Sequence, residues 1–289
     1  MTYTSSAFLG PEETPSAIKQ MILATVSIAI LAALTEPLFT QIFGIPGLQT
    51  LLSLSWFGIR HYFLWQPLSY LFVQANGSSG ITFPFLIGLA FNMYILWIMG
   101  TAVLGVVGTK PFLRLYFFSG IGAGLLALFV MYLTGRYGIL AGPLPSILAI
   151  MTVWTMLNAE ASLLLYFLFP IKAKWLLAGV LGGILLVNIS QGDWISLVLY
   201  FSGALLGYLY GVVAWGLTSP FAWTHGFDRL LGSWKSKKTK IIDIRTVMPI
   251  EDDERFVDAM LTKIAKKGEK SLTWRERRRL NSISQRKNR

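Results

Sequence analysis

Residues 200–211 read YFSGALLGYLYG, with Gly203, Gly207 and Gly211 at steps of four. An α-helix turns once per ~3.6 residues, so the three glycines share one face. In a membrane, small residues at this spacing let two helices meet backbone to backbone. The stretch therefore reads as a tightly packed transmembrane helix. The residue that opens it, Tyr200, is the position the rest of the chain has to explain.

The composition agrees with a membrane setting. Of 289 residues, 54% are hydrophobic and 13% charged, whereas a soluble domain carries about 25% charged residues. Mean hydropathy is strongly positive, which points to an integral membrane protein. Cysteine is absent, which excludes disulfides and thiol chemistry. There are two histidines, His61 and His225. Without cysteine a zinc site would need histidines and carboxylates to converge. The spacing suggests no such site, and neither a metal nor a cofactor is expected.

The charge is unevenly spread. Residues 1–218 hold 7 Lys+Arg and 5 Asp+Glu, which leaves 18 and 9 for residues 219–289, so the tail carries +9 of the net +11. Residues 1–19 read as an irregular N-terminal segment without an obvious secretory signal: Glu12 and Glu13 precede the first apolar run, and no small-residue cleavage site follows it. Apolar segments then fall near 20–43, 83–106, 111–133, 142–158, 175–191 and 195–217. Each is close to the ~20 residues that cross a hydrocarbon core. The expected fold class is all-α: a six-helix membrane domain over 20–218.

Between the first two spans, residues 44–80 mix aromatics with glycine and polar residues (Trp56, Phe57, Arg60, His61, Tyr62, Phe63, Trp65). Such a segment suits short helices in the headgroup region. Lys110 and Arg114 fall between spans two and three, Lys172 and Lys174 between four and five, and the basic tail follows six. The positive-inside rule then places both termini in the cytoplasm.

In the tail, Lys235, Lys237, Lys238 and Lys240 can meet anionic lipid headgroups. The acidic run Glu251–Glu254 favours a helix start, and Phe256, Met260, Leu261 and Ile264 form an apolar stripe. Gly268 is a stop signal, and Thr273 with Glu276 has capping-box spacing. Residues 252–284 read as a helix pair able to recruit a soluble partner. The arginines at 275 and 277–279 read as a solvated or lipid-facing basic face rather than a nucleic-acid site.

Several stretches, in order, resemble rhomboid intramembrane serine proteases. They are WQPLSYLFV from Trp65, FNMYILWIMG from Phe91, GTKPFLRLYFFSGIGAGLL from Gly108, FPIKAKWLL from Phe169 and the Tyr200 segment. In the third, Gly120 and Gly124 are again four apart. The tail resembles the appendage of many bacterial rhomboids, which points to a bacterial inner or plasma membrane. The resemblance covers most of 60–284. The Trp-Arg pair common in the family's first loop is not evident; only Trp56 and Arg60 lie there.

The resemblance implies a serine on span four activated by a histidine base on span six, with a histidine and an asparagine on span two stabilising the oxyanion. Carried over position by position, the span-two pattern falls on Gly88 and Asn92, and the base falls on Tyr200. A tyrosine with a pKa near ~10 is a poor base at neutral pH. Counting back from Pro170 puts the family's Gly-x-Ser motif on Gly142 and Leu144; a two-residue shift would use Ser146 instead. His61 lies in the first loop and His225 beyond span six, so neither is expected to reach a span-four serine.

The reading is an inactive rhomboid-like protein that binds transmembrane segments of client proteins. It keeps vestigial positions at Gly88, Asn92, Leu144 or Ser146, and Tyr200, and packing glycines at Gly120, Gly124, Gly203, Gly207 and Gly211. The alternative is an active intramembrane serine endopeptidase with atypical residues, Ser146 being activated through Tyr200 or water. Asn92 is expected as interhelical glue, and Asn188, near the end of span five, as the same or as interfacial. A transporter would draw on Glu36 and Glu160, but Glu36 beside Pro37 reads as interfacial and Glu160 as a span end.

Overall fold

The computed structural model describes residues 11, 13–74, 80–159, 162–165, 169–219, 260 and 262–263. The chain separates into two units, Met1–Ile241 and Ile242–Arg289. The second unit contributes a few helical residues near Met260. The expected helix pair at 252–284 and the lysines at 235–240 otherwise lie outside the described residues, as do His225 and Glu160.

The first unit is an all-α membrane bundle. Among the described residues, five helices are long and apolar enough to cross a bilayer: Ser16–Phe43, Phe83–Val107, Thr109–Thr134, Ala173–Gln191 and Trp194–Trp215. The first comprises α1 (Ser16–Leu38) and a π-turn, Phe39–Phe43, closed by Gly44 in the left-handed region. It continues through Pro37, beside which the Thr40 hydroxyl donates to the Glu36 carbonyl at 2.8 Å. Side-chain hydroxyls of this kind re-satisfy backbone carbonyls around a proline in a membrane helix.

Between the first two spans run α2 (Leu48–Leu52), β1 (Leu54–Ser55), α3 (Trp56–Arg60), α4 (Gln66–Ser69) and a 3₁₀ turn at Tyr70–Phe72. The expected short helices are present. They are more than a surface layer, because Leu54, Tyr70 and Leu71 are fully buried in the bundle. The Gln66 side chain pins the loop: it accepts from the Ser55 amide at 3.1 Å and donates to the Leu51 carbonyl at 3.3 Å.

The second span consists of α5 (Phe83–Ile95), a π-turn (Leu96–Gly100) and α6 (Thr101–Val107). Gly108, at φ 84, is the only residue between α6 and α7 (Thr109–Thr134). The glycine backbone accepts a conformation that L side chains avoid, and this sharp connection corrects the expected loop. Lys110 and Arg114 lie in the first turns of α7 rather than between helices.

The fourth apolar segment forms α8, Leu144–Leu157, shorter than the expected 142–158. At ~1.5 Å per residue its 14 residues rise about 21 Å, less than a hydrocarbon core of ~30 Å. It is the central helix, with every residue from Pro145 to Met156 buried. A second correction follows it. Ser162–Leu165 (β3) and Phe169–Lys172 (β4) pair as an antiparallel hairpin, where no strand was expected. Then come α9 (Ala173–Gln191) and α10 (Trp194–Trp215).

Two contacts hold the start of α8. The strand β2 (Ile139–Leu140) pairs antiparallel with β1, Leu54 opposite Leu140. The Gly142 amide donates to the Tyr70 carbonyl at 2.9 Å. Gly142 itself sits at φ 122, a conformation suited to glycine.

Candidate functional site

The glycines of α10 set the geometry around α8. A Cβ placed on Gly203 would lie 2.7 Å from the Cα of Pro145, and one on Gly207 would lie 2.5 Å from the Cα of Ala149. A Cβ on the third, Gly211, would lie 3.1 Å from the sulfur of Met156. The order 203–207–211 against 145–149–156 means that the two helices run parallel. This is the close backbone approach that the spacing predicted.

Leu144 opens α8 and is only partly covered, whereas Ser146 is fully buried. The Ser146 hydroxyl donates to the Tyr116 carbonyl of α7 at 2.8 Å. A Cβ on Gly120 would collide with that same hydroxyl oxygen. Ser146 is therefore aimed at α7. Leu144 stands about 200° away around the helix. Tyr200 lies on α10 about one turn before Gly203, with Ser196 and Asp193 on the turns N-terminal to it. Among the described residues no hydrogen bond joins Ser146 to Tyr200.

On α5, Gly88 and Asn92 are one turn apart, and a side chain that the sequence reading did not single out lies across them. The Asn92 amide donates to the Gln74 side-chain oxygen at 3.1 Å, and a Cβ on Gly88 would lie 3.0 Å from the Gln74 side-chain nitrogen. Gln49 in turn donates to the Gln74 backbone carbonyl at 3.4 Å. The lack of a side chain at Gly88 leaves the room that Gln74 occupies. Asn92 thus bonds to the loop rather than to a second helix. Asn188 is no interhelical glue either: its amide donates to the Ile184 carbonyl of its own helix at 2.7 Å.

The remaining ionisable candidates have structural partners. The buried Glu36 carboxylate accepts from the Thr50 hydroxyl at 2.5 Å and from the Thr50 amide at 3.2 Å. It caps α2 from a distance, filling the space that Gly47 leaves open. His61 ends α3 out in the loop, with Nδ1 2.9 Å from the Phe57 carbonyl and its ring 3.9 Å from the Phe57 ring. Tyr70 donates to the Gly120 carbonyl at 2.5 Å. Burial raises its pKa well above the ordinary tyrosine value, and the nearby Tyr116 and Tyr200 add to the shift. Its hydroxyl stays a neutral donor.

A family model for the Rhomboid domain matches residues 64–217. The chain belongs to the rhomboid family. No curated protein matches it. In rhomboid terms, the nucleophile register that keeps Gly142 as the motif glycine puts Leu144 at the serine position, and Gly142 has a backbone conformation suited to that glycine. Gln74 and Asn92 carry amides, and Tyr200 carries a hydroxyl. These groups donate and accept hydrogen bonds, but none takes a proton readily at neutral pH. Gln74 and Gln66 are the functional-looking residues missed in the sequence. Both lie in the WQPLSYLFVQ stretch, where a glutamine among aromatics and aliphatics was the available signal: a polar side chain buried there needs a dedicated partner.

Proposed function

We propose that this rhomboid is not a protease and binds transmembrane segments of client membrane proteins. The observation that carries the reading is the Ser146 hydroxyl, committed to the Tyr116 carbonyl on α7, while the residue at the base position on α10 is a tyrosine, Tyr200. Hydrolysis requires a hydroxyl within reach of a group that takes its proton. Here the serine faces one helix and the candidate base belongs to another. What remains is a polar pair, Gln74 and Asn92, in an otherwise apolar bundle, suited to hydrogen-bond a polar or unwound stretch of a client helix. In this reading both termini face the cytoplasm of a bacterial cell, and the tail recruits a soluble partner while its lysines at 235–240 touch anionic lipid.

The test is a reconstituted system in lipid nanodiscs. A photo-crosslinker at Leu144 is presented with a single-span polypeptide carrying a central polar break, or with a continuous poly-leucine span. The proposal expects crosslinking to the first in preference to the second, and no cleavage of either. Cleavage abolished by Ser146→Ala would overturn the non-proteolytic reading. Equal crosslinking to both spans, or to neither, would overturn client recognition at this cleft.

A further inference from the structure

We infer that the chain carries a binding site for an anionic phospholipid, in the groove between α1 and the π-turn of the second span. Lys19, Ile22, Leu23 and Val26 occur at i, i+3, i+4 and i+7 and so share one face of α1. Trp97 leaves the π-turn to form the facing wall, and its indole N–H donates to the Thr14 hydroxyl oxygen at 2.7 Å. These six residues line a broad, open groove of about 580 Å³.

The polarity of the groove is graded. Ile22, Leu23 and Val26 form an apolar wall, whereas Lys19 and Thr14 stand together at the end where α1 begins. The level of this end in the bundle is given by Ile18, whose side chain packs beside Gly100. Thr14 accepts the indole proton, which leaves its own O–H to donate outward. Among the described residues, Lys19 has no carboxylate partner, and Glu13 is not part of the lining.

An acyl chain on the wall with its phosphate at Lys19 matches each part. Lysines near a membrane surface attract anionic headgroups. A tryptophan whose N–H is already satisfied gives a wall that needs no ordering when the ligand arrives.

The experiment uses the purified full chain in detergent, titrated with phosphatidylglycerol or phosphatidylcholine, with lipid retention read by native mass spectrometry. Phosphatidylglycerol is expected to be retained about fivefold better, the effect of one lysine near the surface. Lys19→Gln should bring it down to the phosphatidylcholine level, and Lys110→Gln should leave the preference in place. Filling the groove with Val26→Trp should reduce retention of both lipids. Equal retention of the two lipids by the unaltered chain would overturn the site. So would a preference that survives Lys19→Gln, or one lost equally in Lys110→Gln.

Discussion

Three helices carry glycines four residues apart: Gly203, Gly207 and Gly211 on α10, Gly120 and Gly124 on α7, and Gly179 and Gly183 on α9. Their surroundings differ completely. On α10, Gly203 and Gly207 press against the backbone of α8. On α7, the pair receives side chains from elsewhere. Gly120 meets Ser146 and Leu71, and a Cβ on Gly124 would lie 2.8 Å from a methyl of Leu54 and 3.1 Å from the Tyr70 hydroxyl oxygen. On α9, a Cβ at Gly179 or Gly183 would meet nothing within 4 Å. One spacing therefore serves as a helix–helix contact, as a seat for a folded loop, or as an open face. Spacing says that close approach is allowed; the neighbour decides what approaches.

The first way to break this comparison is Gly207→Val. Its new atoms would meet the Ala149 backbone, which cannot swing aside. Overpacking typically costs about 1–3 kcal/mol and occasionally more, and this site belongs at or above the top of that range. Thermal unfolding in detergent should show the largest loss of the series; a near-normal melting temperature would mean that α10 and α8 are not in backbone contact.

Gly120→Ala comes next. Its obstacles are side-chain ends, Ser146 Oγ and the Leu71 methyls, which can shift. A loss of about 1–2 kcal/mol is expected, near the lower part of the overpacking range, and adding Ser146→Ala should recover part of it. A double variant no better than the sum of the singles would separate Ser146 from Gly120.

Ser146→Ala alone removes one buried hydrogen bond to a carbonyl. The expected cost is about 1 kcal/mol, measured by denaturation. A stability unaffected by the change would place the hydroxyl elsewhere than on α7.

The smallest effect belongs to Gly211→Ala. The neighbouring Met156 side chain is flexible and adapts to small intrusions, so the change should stay within ~0.5 kcal/mol. A loss as large as that of Gly207→Val would show that the α10 stripe acts as one rigid seam along its whole length.

Much of the fold was legible because its signals are local. Apolar run length marks a span, and glycine, proline and aromatic clusters mark the breaks. The six apolar segments accordingly coincide with helices to within a few residues. The hairpin at Ser162–Lys172 was not legible, because SLLL and FPIK are short apolar runs that periodicity cannot distinguish from helix ends. The Gln74–Asn92 bond joins residues 18 apart in sequence, and nothing local to either residue announces the other.

The candidate site divides in the same way. In the register that the resemblance implies, Tyr200 takes the place of the family's base and Gly88 that of a histidine; the identity of those two residues comes from the sequence alone, since a missing functional group stays missing in any conformation. Which way Ser146 faces depends on how α8 is rotated, and that rotation is set jointly by the α10 glycines, the β1–β2 pairing and the Gly142 amide on Tyr70. Chemistry carried by single side chains can be read along the chain. The direction in which a side chain points is the sum of contacts between distant segments, and only the assembled bundle decides it.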